Sequence, residues 1–101
     1  MLKHIVMWQL KEEAEGNNKQ ENARIMHEKF AKLQSEMPVI KSLHTASVID
    51  DCPYANYDFV LEVELETYKA LEEYQSHPAH LEAAGFVRSV VSARACVDYF
   101  L

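Results

Sequence analysis

This chain of 101 residues contains five histidines and five tyrosines, side chains whose chemistry suits proton transfer. Tyr74 and His80 lie six positions apart, and His4 lies near the first residue. Imidazole takes up and releases a proton near neutral pH, and a phenol can donate a hydrogen bond to an oxyanion. His80 is a candidate general base, Tyr74 a candidate oxyanion donor, and His4 a candidate for orienting a polar substrate group; the resemblance described below selects these three from the histidines and tyrosines of the chain.

A proline decides whether Tyr74 and His80 can meet. Six residues of continuous α-helix turn through about 600°, which would place the two side chains on different faces. Pro78 lies between them and interrupts the helix, because proline lacks an N–H and clashes with the preceding turn. The break allows the two rings to converge. In the structural alternative, His80 caps or hydrogen-bonds the second helical piece, and Tyr74 packs with its hydroxyl satisfied.

Other reactive side chains form weaker patterns. His77 and His80 make an isolated His-x-x-His pair, whereas zinc sites use three or four ligands. The adjacent carboxylates of Asp50 and Asp51 lack the spacing of a calcium loop. Cys52 follows them without a neighbouring cation in the sequence that would favour a thiolate. We therefore expect no metal ion and no cofactor.

The first half of the chain predicts a strand followed by a helix. Leu2–Leu10 alternates with a period of two and carries apolar side chains on both faces. Asn18 and Glu21 have the spacing of a helix cap, and an apolar stripe continues behind them at helical spacing. Pro38 marks the end of this helix, since the residues before a proline rarely continue one.

The second half predicts two strands, two helical pieces and a final strand. Residues 39–49 are rich in β-branched side chains, and residues 57–65 alternate between an apolar set and a set that is acidic except for Val60. Thr67 is a candidate cap for a helix that the proline interrupts, and a second helical piece follows over residues 79–92. Residues 93–99 alternate again. The order β-α-β-β-α-α-β predicts an α+β fold with a ferredoxin-like layout, a four-stranded antiparallel sheet covered on one face by helices.

This layout leaves one sheet face without a helical cover. The side chains predicted to lie on that face include Ile5, Met7, Val60, Cys96 and Phe100. An apolar area of this extent favours a protein partner over exposure to water. We therefore expect a homodimer paired through its sheet faces. The alternative is a monomer whose open face is made half polar by acidic residues of the third predicted strand.

Composition limits the size, partners and compartment. The chain length supports one domain spanning residues 1–101, and a hydrophobic fraction of 49% supports a compact core. The net charge is −6, and nucleic acid or a membrane surface is not expected as a partner because phosphate binding needs clustered Lys and Arg. Two cysteines without a secretory signal segment fit a reducing compartment, so we expect a cytoplasmic protein.

Five stretches of the sequence carry a recognisable pattern in a fixed order. They are His4-Ile5-Val6-Met7-Trp8, Glu13-Ala14-Glu15-Gly16-Asn17, Tyr57-Asp58-Phe59-Val60-Leu61, Tyr74-Gln75-Ser76-His77-Pro78-Ala79-His80-Leu81 and Cys96-Val97-Asp98-Tyr99. Together they resemble the stress-responsive dimeric α/β-barrel (Dabb) family over nearly the whole chain, and the Tyr-x-x-His-Pro-x-His element is the most specific part. The resemblance implies a ferredoxin-like protomer that pairs into a homodimeric α+β barrel.

The resemblance implies several functions, because one scaffold hosts unrelated activities. Many members are stress-associated or have no known activity, which implies a small homodimeric protein of undetermined activity that is stress-associated or binds a small apolar ligand between sheet and helices. A polyketide cyclase of the family has a histidine and a tyrosine that match His80 and Tyr74, and His4 matches a further pocket histidine. This match implies the alternative of a cofactor-independent cyclase or lyase acting on a polyketide-like or aromatic carbonyl compound. Phe59 stands where that cyclase has a histidine. A cofactor-free monooxygenase is the more remote alternative.

An internal cavity distinguishes these functions. An enzyme needs an open space in which His80 and Tyr74 reach one ligand. A structural dimer can fill the same space with Trp8, Phe59 and Phe86.

Overall fold

The long elements of the chain follow the predicted order. The computed structural model describes residues 1–48 and 52–101, so the Asp50 and Asp51 pair lies outside the described residues. The strands are β1 (Leu2–Leu10), β2 (Glu13–Ala14), β3 (Asn17–Asn18), β4 (Ser42–Ser47), β5 (Phe59–Leu65) and β6 (Val91–Phe100). The helices are α1 (Lys19–Glu36), α2 (Tyr68–Ser76) and α3 (Pro78–Val90), and none of these three is both long and apolar enough to cross a membrane.

The four long strands form one antiparallel sheet in the order β4-β5-β1-β6. The central strand β1 pairs with β5 on one side and with β6 on the other, so His4 lies between Val63 and Asp98. Alternate residues of β1 and β5 are buried against the helices, as the period-two pattern predicts. The ferredoxin-like α+β fold is therefore confirmed.

Helix α1 is fixed at its first turn and along one face. The Asn18 side-chain oxygen accepts a hydrogen bond from the Glu21 N–H at 2.9 Å, as the capping pattern predicts. Met26, Phe30 and Leu33 are buried along the predicted apolar stripe. The helix ends at Glu36, two residues before the proline that marks its predicted end. The buried face of α1 therefore packs against the helix side of the sheet.

A short hairpin between β1 and α1 was not predicted. Strands β2 and β3 are joined by Glu15 and Gly16, which have φ values of 53° and 76°. Positive φ at both central residues is typical of a type I′ turn. The buried Asn22 side chain ties this hairpin to α1, because its Nδ2 donates to the Ala14 carbonyl at 3.0 Å. Two-residue strands have no periodicity that a sequence pattern could detect.

The break between α2 and α3 has the predicted position but a different capping residue. Thr67 caps α2 by accepting from the Ala70 N–H at 3.1 Å. His77 is extended, with φ −66° and ψ 138°, and Pro78 is the first residue of α3. The His77 Nδ1 accepts the Ala79 N–H at 3.0 Å, so the cap of α3 is His77 and not His80.

The outer face of the sheet differs from the prediction at β6. Cys96 pairs with Val6, whose side chain is buried on the helix side, and Phe100 belongs to the same alternating set as Cys96. The placement of Cys96 and Phe100 on the outer face is therefore wrong. Alternation shows which residues of a strand share a face, but it does not show which of the two faces they occupy. The outer face carries Ile5, Met7, Val60, Ala95, Val97 and Tyr99.

The two glycines of the chain provide a matched test of the hairpin. We expect Gly16→Ala to lower the free energy of unfolding by about 1–2 kcal/mol, because a Cβ disfavours the positive φ of this turn. Gly85→Ala lies in α3 with open space around the new methyl group, so we expect a gain of about 0.5–1 kcal/mol. Urea denaturation measures both values. Equal effects of the two substitutions would contradict the turn geometry.

Candidate functional site

A cavity of about 590 Å³ lies between the sheet and the helices. His4, Tyr74 and His80 all border it, so the structure brings together the three residues predicted from sequence. Its apolar border includes Val6, Trp8, Phe30, Leu61, Val87 and Val91. The volume falls within the range of about 300–1,000 Å³ that is typical of small-molecule sites. The interior is therefore not filled, although Trp8 contributes to its wall.

His4 is held by a carboxylate from the neighbouring strand. Its side chain points to the helix side of β1 and is only 2% exposed. The His4 Nδ1 is hydrogen-bonded to the Asp98 carboxylate, which β6 places directly across the sheet. A carboxylate accepts and does not donate, so Nδ1 carries the hydrogen. In the neutral ring, Nε2 is left as a hydrogen-bond acceptor.

Tyr74 is the most buried member of the site. Its ring centroid lies 4.6 Å from that of His80 and 6.1 Å from that of His4. The Tyr74 hydroxyl is buried and has no hydrogen-bond partner among the described residues. Burial raises the pKa of this phenol well above its ordinary value, so the group stays protonated. The site therefore contains a neutral hydroxyl donor that lacks an acceptor.

His80 has the tautomer and charge state of a base. Its Nδ1 donates to the Gln75 carbonyl at 3.0 Å, because a carbonyl oxygen can only accept. The neutral ring therefore carries its lone pair on Nε2. Burial is the largest influence on the pKa of His80 and lowers it, and the positive charge of Arg94 acts in the same direction. The imidazole is consequently neutral at pH 7.

Four residues that border or support the site were not predicted. Asp98 and Gln75 orient the two histidines, and Arg88 and Arg94 border the cavity. Asp98 lies 94 positions from His4, and only the register of β1 with β6 brings the two side chains together. The sequence offered one indication for the arginines: Arg88 and Arg94 lie in α3 and β6, the two elements that follow the histidine motif.

One cluster has atoms of the types that bind metal ions. His4 Nδ1, Cys96 Sγ and an Asp98 carboxylate oxygen lie within 4.8 Å of one another. In this arrangement Nδ1 and the carboxylate already satisfy each other. Burial, followed by the charge of Asp98, raises the pKa of the Cys96 thiol, which keeps it neutral. The cluster therefore acts as a hydrogen-bonded support for His4. The predicted His77 and His80 pair uses its Nδ1 atoms for backbone contacts.

Phe59 lies in an aromatic group behind the cavity. Its ring centroid is 4.5 Å from His27, 5.9 Å from Trp8 and 6.1 Å from Phe30. Phe59 therefore supplies apolar packing to the interior of the domain. A smaller cavity of about 440 Å³ lies near His27 and borders residues next to the undescribed segment. His27 bonds there to the Thr45 hydroxyl at 2.7 Å.

The chain is a ferredoxin-like α+β domain with a partly open cavity between its sheet and its helices. The chain matches the stress responsive A/B barrel domain, or Dabb, over residues 2–101, and it belongs to this family. A comparison with curated proteins gives no match.

Three solved structures illustrate the similarity. A dimeric ferredoxin-like protein of unknown function from Bacteroides fragilis has 24% identity and a TM-score of 0.81, covering 99% of this chain and 95% of its own. A Dabb family protein from Mesorhizobium loti has 22% identity and a TM-score of 0.73, with 99% and 95% covered. The hydroxynitrile lyase from Passiflora edulis has 17% identity and a TM-score of 0.81, with 99% and 92% covered. These similarities show the fold.

The unpartnered hydroxyl of Tyr74 leads to a stability prediction. A buried polar group without a partner costs about 1–3 kcal/mol, so we expect Tyr74→Phe to raise the free energy of unfolding by up to this amount. Tyr68→Phe removes an exposed hydroxyl and should leave stability unchanged. Thermal and urea denaturation measure both variants. A loss of stability in Tyr74→Phe would show that the hydroxyl has a partner in the folded protein.

Proposed function

We propose that this protein binds a small, mostly apolar carbonyl compound in the 590 Å³ cavity and catalyses a cofactor-independent proton transfer on it. Such a step begins ring closure by carbon–carbon bond formation, and a related step begins carbon–carbon cleavage. The observation that supports this function is the pairing of a neutral imidazole with an unpartnered phenol, His80 beside Tyr74, at one cavity wall. The unit that carries the function is a single domain spanning residues 1–101.

In the proposed reaction, the base is His80. Its Nε2 removes a proton from the carbon next to the substrate carbonyl, and the electron pair moves to the carbonyl oxygen to give an enolate. The proton remains on the imidazolium, whose Nδ1–H is held by the Gln75 carbonyl. Return of the proton to carbon restores the starting state. Alternatively, the enolate carbon attacks a second carbonyl, a carbon–carbon bond forms, and the alkoxide produced on the second carbonyl oxygen takes the proton from the imidazolium, which restores the neutral ring.

Tyr74 stabilises the oxygen on which charge develops. Its hydroxyl donates to the enolate oxygen, and this bond gains strength as the negative charge forms. The hydroxyl has no acceptor in the free chain, so a ligand oxygen that reaches it meets a donor without a competing partner. His4 contributes by accepting a hydrogen bond at Nε2 from a polar substrate group, since Asp98 fixes its Nδ1 hydrogen.

The fold of one related protein supports this proposal. The fold is shared with a protein described as a hydroxynitrile lyase, so the scaffold is compatible with lyase chemistry. Ligand binding without turnover is the second candidate, and it is favoured by the largely apolar border of the cavity. A stress-associated role and a cytoplasmic location, with two free cysteines in a reducing compartment, fit either function.

Removal of the base tests the catalytic function. Phenylacetone in D₂O should exchange its α-hydrogens for deuterium in the presence of the protein, as followed by proton NMR. We expect His80→Asn to slow this exchange by about 100-fold or more, because the amide can still donate to the Gln75 carbonyl but cannot take up a proton. His77→Asn is the matched control, since His77 caps α3 and does not border the cavity. Equal exchange by the wild-type protein and His80→Asn would contradict the assignment of the base.

The pH dependence of the same exchange is a separate test. Burial lowers the pKa of His80 from its ordinary value near 6.5, so the ring stays unprotonated until the pH falls below that value. We therefore expect the rate to be constant around pH 7 and to fall on the acid side with a midpoint below 6.5. A midpoint above 6.5 would exclude this histidine as the base.

We also propose that two copies pair through the outer face of the sheet. Relatives of the same fold are described as dimeric, and the outer face here carries exposed apolar side chains. We expect Val97→Asp, at an outer-face residue that is 51% exposed, to convert a dimer into a monomer in sedimentation equilibrium at micromolar concentration. Leu81→Asp is the control, since Leu81 is 55% exposed on α3. A monomeric wild-type protein would contradict the pairing.

A further inference from the structure

The three arginines of the chain differ in how their charge is compensated. Arg24 on α1 bonds to Glu21, with Nε to Oε2 at 3.1 Å, and also pairs with Glu28. Arg88 and Arg94 have no carboxylate of residues 1–48 or 52–101 within ion-pair distance. Both side chains are exposed, so water solvates them and each remains available to an anionic ligand. Both of them border the 590 Å³ cavity.

The two uncompensated arginines approach the cavity from different elements. Arg88 lies in the last turn of α3, where a positive charge also interacts favourably with the helix dipole. Arg94 lies on β6 opposite Trp8, in the set of β6 residues that points to the helix side with Cys96 and Asp98. Arg94 and His80 border the same cavity, so the guanidinium faces the space into which the candidate base opens. The helix dipole explains the position of Arg88 but not that of Arg94, which lies on a strand. Arg94 is therefore the stronger indication that the cavity binds an anion.

We propose that Arg94, assisted by Arg88, binds a carboxylate on the ligand, so that the ligand is an organic acid carrying both a carbonyl and an apolar group. This inference rests on the function proposed above, because it concerns the same cavity. The planar guanidinium presents parallel N–H donors that match the two oxygens of a carboxylate. The apolar wall receives the hydrocarbon part, and Tyr74 and His80 lie beside the carbonyl. A chain with a net charge of −6 repels an anionic ligand, and the two arginines provide local positive charge that offsets this repulsion at the cavity.

Two probes that differ only at the carboxyl group test the proposal. Phenylpyruvate has an aromatic ring, a ketone and a carboxylate, and its methyl ester keeps the ring and the ketone without the charge. We expect isothermal titration calorimetry to show the acid binding about 10- to 100-fold more tightly than the ester, as for a charge-assisted pair. Added salt should weaken binding of the acid and leave the ester unaffected, because salt screens the charge.

Variants assign the preference to the arginines. Arg94→Gln should remove most of the difference between acid and ester, and Arg94→Lys should restore part of it because it keeps the charge without the planar donors. Arg24→Gln is the matched control and should leave the difference unchanged, since Arg24 is paired on α1 away from this cavity. Should Arg94→Gln fail to fold, the acid-to-ester ratio of the wild-type protein and its salt dependence still decide the proposal.

The outcomes separate this proposal from the catalytic one. Equal binding of acid and ester overturns the carboxylate site and leaves α-proton exchange by His80 standing. A preference for the acid that depends on Arg94, in a protein that exchanges no α-proton, supports the carboxylate site and contradicts catalysis. Inorganic phosphate that competes as well as phenylpyruvate would overturn the assignment to a carboxylate, because it would show that any oxyanion suffices.

Discussion

His77, a single residue in extended conformation, separates α2 from α3. In a continuous helix the Gln75 carbonyl would accept the Ala79 N–H. The break separates these two groups, so each needs another partner. The ring of His77 takes the Ala79 N–H, and the ring of His80 gives its Nδ1–H to Gln75. The helix break thus sets the tautomer of His80 as well as its position. It also brings its ring to 4.6 Å from that of Tyr74.

The cavity differs electrostatically from the surface that surrounds it. The chain as a whole is acidic, yet the cavity border has two arginines, while the phenol of Tyr74 and the imidazole of His80 are neutral. Burial raises the pKa of Tyr74 and lowers that of His80, and both shifts strengthen the neutral form that each group already favours at pH 7. The same burial that forms the core therefore prepares a donor and a base side by side. Their pKa values move in opposite directions, as is typical of paired groups with different tasks.

Local patterns predicted the elements of the chain, and long-range register determined the details of the site. The cap at Asn18 and the stripe of α1 depend on neighbours within a few residues, so the sequence contains them in full. The convergence of Tyr74 and His80 was predictable because a proline lies between them. The contact of His4 with Asp98 was not, since it requires the pairing of the first strand with the last. For the same reason, alternation in β6 identified two sets of residues but could not say which set faces the helices.

Strand β6 serves both sides of the sheet at once. Arg94 and Asp98 point toward the cavity, and Ala95 and Val97 point toward the outer face. If the cavity binds a ligand and the outer face pairs two copies, as proposed above, point substitutions in β6 alter the two properties separately, because each side chain reaches only one side of the sheet. A one-residue insertion or deletion in this strand would exchange the two sets and disrupt both properties together. The length of β6, rather than the identity of any residue in it, is thus the feature that evolution of this domain is least free to change.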